Sequence, residues 1–130
     1  MSAMLSFEAS CITVDHDEDR LVVGLADDAS APERYLLLQL ALDPDEQDRE
    51  LGLDDVHLEV DDQSRSVYGG IASCTLTRDR LELRLDERAA GEVGAFCVRV
   101  ALDLDADRYS TLRDGLRRLF RDRPGVLTEP

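Results

Sequence analysis

The chain has 130 residues and a formal net charge of −14, from 29 acidic residues and 15 arginines. Its length and its 43% hydrophobic content allow one domain, residues 1–130, with a core large enough to fold without a disulfide or a metal. The sequence has no long apolar run and no secretory leader, which predicts a cytoplasmic protein. Because so acidic a surface repels polyanions, the composition argues against binding to nucleic acid or to a membrane.

The first part of the chain predicts three strands and a linker. Alternating apolar residues from Leu5 to Val14 predict a first strand, with a bulge near Cys11 where the alternation changes parity. Residues 21–26 and 35–40 are apolar on both faces, which is typical of strands that are covered on both sides. The charged linker 43–55 is predicted to be a loop or one short helix.

A fourth strand and two turns follow the linker. Residues 56–60 alternate between apolar and polar, which predicts a strand with His57 and Glu59 on its exposed face. The charged residues 61–63 are predicted to turn the chain. The glycine pair at 69–70 precedes another apolar segment and predicts positive φ angles or the close approach of another backbone.

The remaining segments predict a hairpin, a final strand and one long helix. Residues 71–77 and 80–85 form the hairpin, residues 86–94 one helical turn ended by glycine, and residues 96–104 the last strand. Apolar residues recur at helical spacing from about residue 105 to residue 121. Together these segments predict an α+β fold, an antiparallel sheet of about six or seven strands with a C-terminal amphipathic helix packed on one face.

The strands that are apolar on both faces pose a problem of coverage. A single helix covers only one face of a sheet. Either the sheet curls strongly on itself, or loops or another protein cover its second face.

Two aspartate-rich runs and three cysteines are candidates for metal sites. The runs at 15–19 and 103–107 resemble calcium loops but lack the required glycine and glutamate, so a turn and a helix cap explain them. Cys11, Cys74 and Cys97 are odd in number and lie in apolar segments, which is typical of reduced cysteines that act as small hydrophobic residues. The sequence therefore predicts no metal and no cofactor.

One trio of residues carries groups suited to acid-base chemistry. His57 and Glu59 share the exposed face of one predicted strand, with Tyr68 a short distance along the chain. Because carboxylates are so abundant in this chain, a histidine near a carboxylate is expected by coincidence and is weak evidence for a catalytic site. The sequence predicts no catalytic residue and no enzyme.

Several short motifs follow one another in a fixed order: Tyr35-Leu36-Leu37-Leu38-Gln39, Glu46-Gln47-Asp48, Leu51-Gly52, Val56-His57-Leu58-Glu59-Val60-Asp61-Asp62-Gln63 and Tyr68-Gly69-Gly70-Ile71. With them, nearly the whole chain resembles the tenth immunity-protein family of bacterial polymorphic toxin systems. The resemblance implies a cytoplasmic, non-enzymatic α+β protein that binds and neutralises a cognate secreted toxin domain, often a nuclease.

The resemblance and the charge together direct the prediction of a partner-binding surface. Toxins that act on nucleic acid carry basic clefts, and an acidic inhibitor gains steering and complementarity from them. The predicted partner-binding residues lie on one strand and the turns that follow it: Glu59, Asp61, Asp62, Gln63, Tyr68, Gly69 and Gly70. The alternative that stays open is a small ligand-binding or regulatory domain that acts as a homodimer.

Overall fold

The structure is a computed structural model that describes residues 4–129. Its strands are β1 (Met4–Ala9), β2 (Cys11–His16), β3 (Arg20–Ala26), β4 (Tyr35–Ala41), β5 (His57–Val60), β6 (Asp62–Tyr68), β7 (Ile71–Thr77), β8 (Arg80–Leu85), β9 (Cys97–Leu102) and β10 (Leu127–Thr128). Its helices are α1 (Glu46–Glu50), α2 (Glu87–Val93) and α3 (Ala106–Leu119).

The strands form two five-stranded sheets. Sheet 1 has the order β1-β9-β8-β7-β10 and is mixed, because β1 runs parallel to β9 and β10 runs parallel to β7. Sheet 2 has the order β2-β3-β4-β5-β6 and is antiparallel throughout. The chain passes from sheet 1 to sheet 2 at Ser10 and returns to sheet 1 at Gly69 and Gly70.

The structure confirms the α+β class and the C-terminal helix, but the prediction of one antiparallel sheet is wrong. The predicted first strand is two strands that belong to different sheets, so the change of parity near Cys11 marks a crossing rather than a bulge. The hairpin of β7 and β8 is confirmed. The linker contains the short helix α1, and the glycine-ended turn after β8 is α2, which ends at Gly94 in a left-handed conformation with φ 89°.

Two strands were not predicted, and both lack a hydrophobic pattern. In β6 only Val67 is buried, and β10 is two residues long. The predicted turn at 61–63 is confined to Asp61, which has a φ of 64°, and the next residue already begins β6. Pairing with a neighbouring strand, rather than burial of alternate side chains, makes these segments strands.

Both sheets contribute to one hydrophobic core. Leu38 of sheet 2 and Leu83 of sheet 1 are fully buried in the same cluster. Helix α3 lies on the core side of β2 and β3, where a Cβ added to Gly115 would lie only 2.9 Å from a methyl group of Val14. The close approach buries Leu112 and its helical neighbours, and full burial of each leucine stabilises the fold by about 1.5–3 kcal/mol.

Aspartates begin all three helices. The carboxylates of Asp45, Asp86 and Asp105 accept hydrogen bonds from backbone amides three residues further on, at 2.7, 2.8 and 2.8 Å. The predicted helix cap in the second aspartate run is thereby confirmed. None of the helices within residues 4–129 is long and apolar enough to span a membrane.

Candidate partner-binding surface

One face of sheet 2 points away from the core, and the strand registers align its side chains in three rows. We call this set the outer face of sheet 2: Cys11, Ala26 and Tyr35, then Thr13, Gly24, Leu37, Glu59 and Ser66, then Asp15, Val22, Gln39, His57 and Tyr68. Val22 and Leu37 are half-buried and lie outside the core cluster. Sheet 1 and α3 therefore cover one face of sheet 2, and the second apolar face is only partly covered.

The loop between β3 and β4 overhangs one end of this face. The Asp27 carboxylate accepts hydrogen bonds from the backbone amides of Glu33 at 3.1 Å and Arg34 at 3.2 Å, which fixes the loop in shape. Between the loop and the strands lies an apolar hollow of about 360 Å³. Its lining includes Cys11, Gly24, Ala26, Pro32 and Leu37.

Tyr35 and Glu59 form a hydrogen-bonded pair beside this hollow. The Tyr35 hydroxyl donates to Oε2 of Glu59, and Glu59 is the cross-strand neighbour of Leu37. Burial and the adjacent Glu59 carboxylate raise the pKa of Tyr35, so its hydroxyl remains a donor at physiological pH. Within residues 4–129, Oε1 of Glu59 has no hydrogen-bond partner. The carboxylate is thus held in place with one oxygen available.

His57 and Tyr68 occupy the far end of the same face. Their rings lie 4.6 Å apart between centroids with an interplanar angle of 51°, and Tyr68 is 41% exposed. A second hollow of about 280 Å³ adjoins them, with Arg20 and Gln39 on its other side. The prediction that His57 and Glu59 share the outward face of one strand is confirmed, and Tyr68 lies beside His57 on that face. The hydrogen-bond partner of Glu59 is Tyr35.

The turn after β5 contains one aspartate that the fold itself uses. The Asp61 carboxylate accepts hydrogen bonds from Nε of Arg34 at 2.9 Å and from the backbone amide of Tyr35 at 3.0 Å. Arg34 also donates to the carbonyl of Ser6 in β1, at 3.3 Å. Asp61 therefore helps to tie sheet 2 to sheet 1. The next residue, Asp62, is exposed, and a hydrogen bond from the backbone amide of Ser64 lowers the pKa of its carboxyl group.

The positive φ angles predicted for the glycine pair are confirmed, whereas the atoms nearest to the pair belong to side chains and not to another backbone. Gly69 and Gly70 have φ angles of 74° and 86°. A Cβ added to Gly69 would lie 2.7 Å from the Asp55 carboxylate, and one added to Gly70 would lie 2.4 Å from the Cβ of Ala89 in α2. These glycines let the chain cross between the sheets against the start of α2.

The seven predicted partner-binding residues thus fall into two groups. Exposed or partly exposed side chains come from Glu59, Asp62, Gln63 and Tyr68. The remaining three, Asp61, Gly69 and Gly70, are engaged in contacts that shape the fold. Sequence reasoning missed Tyr35 and Leu37 as residues of this surface, although the apolar pattern on both faces of β4 was the signal for them.

Charge is divided unequally along the chain. Residues 11–68, which contain all of sheet 2 and its connections, include 17 acidic residues and four arginines, a net charge of −13. Residues 69–130 include 11 of each sign and are neutral overall. On the outer face of sheet 1, the Glu82 carboxylate lies 2.9 Å from Arg84 and 3.2 Å from Arg99. The unbalanced charge therefore belongs to the part of the chain that forms sheet 2.

Fold and surface together define a small two-sheet α+β protein with one partly covered sheet face, which lies in the more acidic part of the chain. Within residues 4–129, no group of three or more His, Cys, Asp or Glu side chains is arranged to hold a metal ion. A family model described as Immunity protein 10 matches residues 8–110. The chain belongs to the immunity protein 10 family, which confirms the resemblance seen in its sequence motifs. A search of curated proteins finds no match.

Proposed function

We propose that this protein is an immunity protein that binds a cognate secreted bacterial toxin domain and neutralises it by contact, without catalysis. Family membership carries the general function. The net charge of −13 on residues 11–68 supports a basic toxin surface as the partner, because opposite charges steer encounter and oppose wrong pairings. A nuclease is one such toxin, since its cleft must attract a polyanion.

The proposed contact surface is the segment from β5 to the glycine crossing. Glu59, Asp62, Gln63 and Tyr68 would meet the toxin through their side chains. Asp61, Gly69 and Gly70 would contribute by holding that segment in its observed shape, since their polar groups or their backbone are already engaged within the fold. We place this interaction in the cytoplasm of the producing cell, with neither nucleic acid nor a membrane as a direct partner.

Binding of the purified chain to the product of the neighbouring gene tests this proposal. Isothermal titration calorimetry at roughly 0.05 M and 0.5 M salt should show binding that weakens at the higher ionic strength, where exposed charges are screened. Co-expression of the chain should also restore growth to cells that produce the toxin domain. Absent binding or absent protection contradicts the proposed function, and binding that is insensitive to salt contradicts an acidic interface.

One observation favours the alternative of a ligand-binding domain or homodimer. The outer face of sheet 2 is partly apolar and carries two hollows, which is also what a small molecule or a second copy would require. Sizing chromatography of the pure chain distinguishes a dimer from a monomer. A thermal-shift screen with small molecules identifies a ligand that stabilises the fold.

A further inference from the structure

Resting on the proposed function, we infer that the toxin docks on the outer face of sheet 2, with an apolar side chain in the hollow beneath the β3–β4 loop and a basic side chain against Glu59. This places the centre of the interface on the sheet itself. The turn at Asp61 and Asp62 then lies at its border.

The hollow provides a preformed pocket for an apolar side chain of the partner. Its walls are the loop that Asp27 fixes and the strand residues Cys11, Ala26 and Leu37. Interfaces draw most of their binding energy from a few side chains that fill such pockets, surrounded by a polar rim that excludes water. Because the loop is already ordered by its own hydrogen bonds, little conformational entropy is lost when the hollow is filled.

Glu59 provides the matching polar contact next to that anchor. Leu37 and Glu59 are cross-strand partners, so the hollow and the carboxylate lie side by side. The Tyr35 hydroxyl holds one carboxylate oxygen, and the other has no partner within residues 4–129. A lysine or arginine of the toxin would form a charge-assisted hydrogen bond with that oxygen, and removal of water by the docked partner strengthens it.

The negative charge of residues 11–68 favours a basic polypeptide, rather than a second copy of the chain, as the partner on this face. The charge of −13 on residues 11–68 lies mostly on the turns, loops and helix α1 that surround this face. A second copy would bring those acidic segments close to their equivalents, and like charges across an interface cost affinity. The same negative charge attracts a basic polypeptide. On the outer face of sheet 1, by contrast, both oxygens of Glu82 already lie next to arginines.

Two pairs of variants test this assignment against the product of the neighbouring gene. Gly24→Val fills the hollow: a Cβ at Gly24 meets its nearest atoms, in Leu37 and Thr13, at 3.5 and 3.7 Å, which is ordinary contact. Glu59→Gln removes the carboxylate charge while keeping the shape. The matched controls on the outer face of sheet 1 are Ala101→Val, which also adds apolar bulk at an exposed strand position, and Glu82→Gln, which makes the same change in total charge.

We expect Gly24→Val and Glu59→Gln each to weaken binding about tenfold or more, and the controls to change it less than about twofold. Thermal unfolding of all four variants checks that they fold. Equal losses in variant and control, or no loss at Gly24 and Glu59 while the wild type binds, overturn the docking site and leave the proposed function standing. If the wild type does not bind, both fail. A wild-type dimer that Gly24→Val dissociates assigns the face to a second copy and also overturns the inference.

The alkylation rate of Cys11 tests the docking site independently, in the wild-type protein. It lines the hollow and is partly exposed, whereas Cys74 and Cys97 are buried. Alkylation of Cys11 by iodoacetamide should slow at least fivefold when the toxin is bound. An unchanged rate in a complex that calorimetry shows to be saturated contradicts docking over the hollow.

Discussion

On sheet 1, the outward-facing Glu82 lies between Arg84 and Arg99. On sheet 2, the outward-facing Glu59 lies beside the apolar Leu37 and, within residues 4–129, accepts a hydrogen bond only from the hydroxyl of Tyr35. Arginines of the same sheet neutralise the first carboxylate, whereas the second has no salt bridge within the described part of the chain. The two outward-facing glutamates therefore differ in how far the fold itself compensates their charge.

The difference between Glu82 and Glu59 affects how much binding energy each carboxylate can give to a partner. Desolvating a charge that already has its counter-ion gives a partner no new interaction, whereas an oriented carboxylate without a cation gains one. The half-buried Leu37 beside Glu59 adds a dispersive contribution. We therefore place the proposed toxin contact on sheet 2.

The largest expected effect is at the crossing that holds the two sheets together. Gly70→Ala places a methyl group 2.4 Å from the Cβ of Ala89 and puts a side chain at a φ of 86°. We expect a loss of about 3 kcal/mol in the free energy of unfolding, from backbone strain and overpacking combined. Urea denaturation followed by circular dichroism measures it.

Gly125→Ala is the control, because Gly125 has the same φ of 86° and no neighbouring atom within 4 Å of the added Cβ. It should cost about 1–2 kcal/mol, the strain alone. Equal losses at Gly70 and Gly125 would mean that the contact with α2 contributes nothing to the crossing.

The next effect separates the two adjacent aspartates of the β5–β6 turn. Asp61→Asn weakens the bond to Arg34 that ties sheet 2 to sheet 1, and we expect it to lower the free energy of unfolding by about 1.5 kcal/mol. Asparagine also tolerates the φ of 64° at this position. Asp62→Asn, on the exposed neighbour, should change stability less and toxin binding more. Thermal unfolding and calorimetry on both variants test this division, and the reverse ranking in either measurement contradicts it.

The smallest expected effect is the pH dependence of the stability that the cluster of Glu82, Arg84 and Arg99 on sheet 1 contributes. Burial acts to raise the pKa of Glu82, but Arg99 and Arg84 outweigh it and hold the pKa below its ordinary value of 4.5. Because the folded-state pKa is depressed, this group stabilises the fold above about pH 4.5, and the contribution is lost as the pH falls through the folded-state pKa.

We therefore expect Glu82→Gln to cost within about 1 kcal/mol at pH 7 and less at low pH. Thermal unfolding of the variant and the wild type across this range measures the difference. A gap between the two proteins that widens on acidification would contradict the arginine cluster as its cause.

Much of the local structure follows from the sequence. The strands β3, β4, β5, β7 and β8 and the helix α3 coincide with predicted segments to within a few residues. Periodicity is a local property of the chain, and burial of one face reinforces it. The outward direction of Glu59 follows from the same alternation, whereas the nearness of His57 to Tyr68 depends on the pairing of β5 with the unpredicted strand β6.

The division into two sheets does not follow from the sequence. The strand β1 pairs with β9, from Met4 opposite Cys97 to Ala9 opposite Leu102, and no local pattern connects segments so distant in the chain. The strand β6 is polar and exists because β5 offers it hydrogen bonds. The internal use of Asp61 depends in the same way on Arg34, which lies on another loop.

Composition and alternation already establish an acidic α+β chain with strands that are apolar on both faces. Which of those faces meets sheet 1 and which remains open to a partner was decided only when distant segments packed. The physical reason is that each side chain's direction depends on its own backbone, whereas its surroundings depend on pairings across the whole chain.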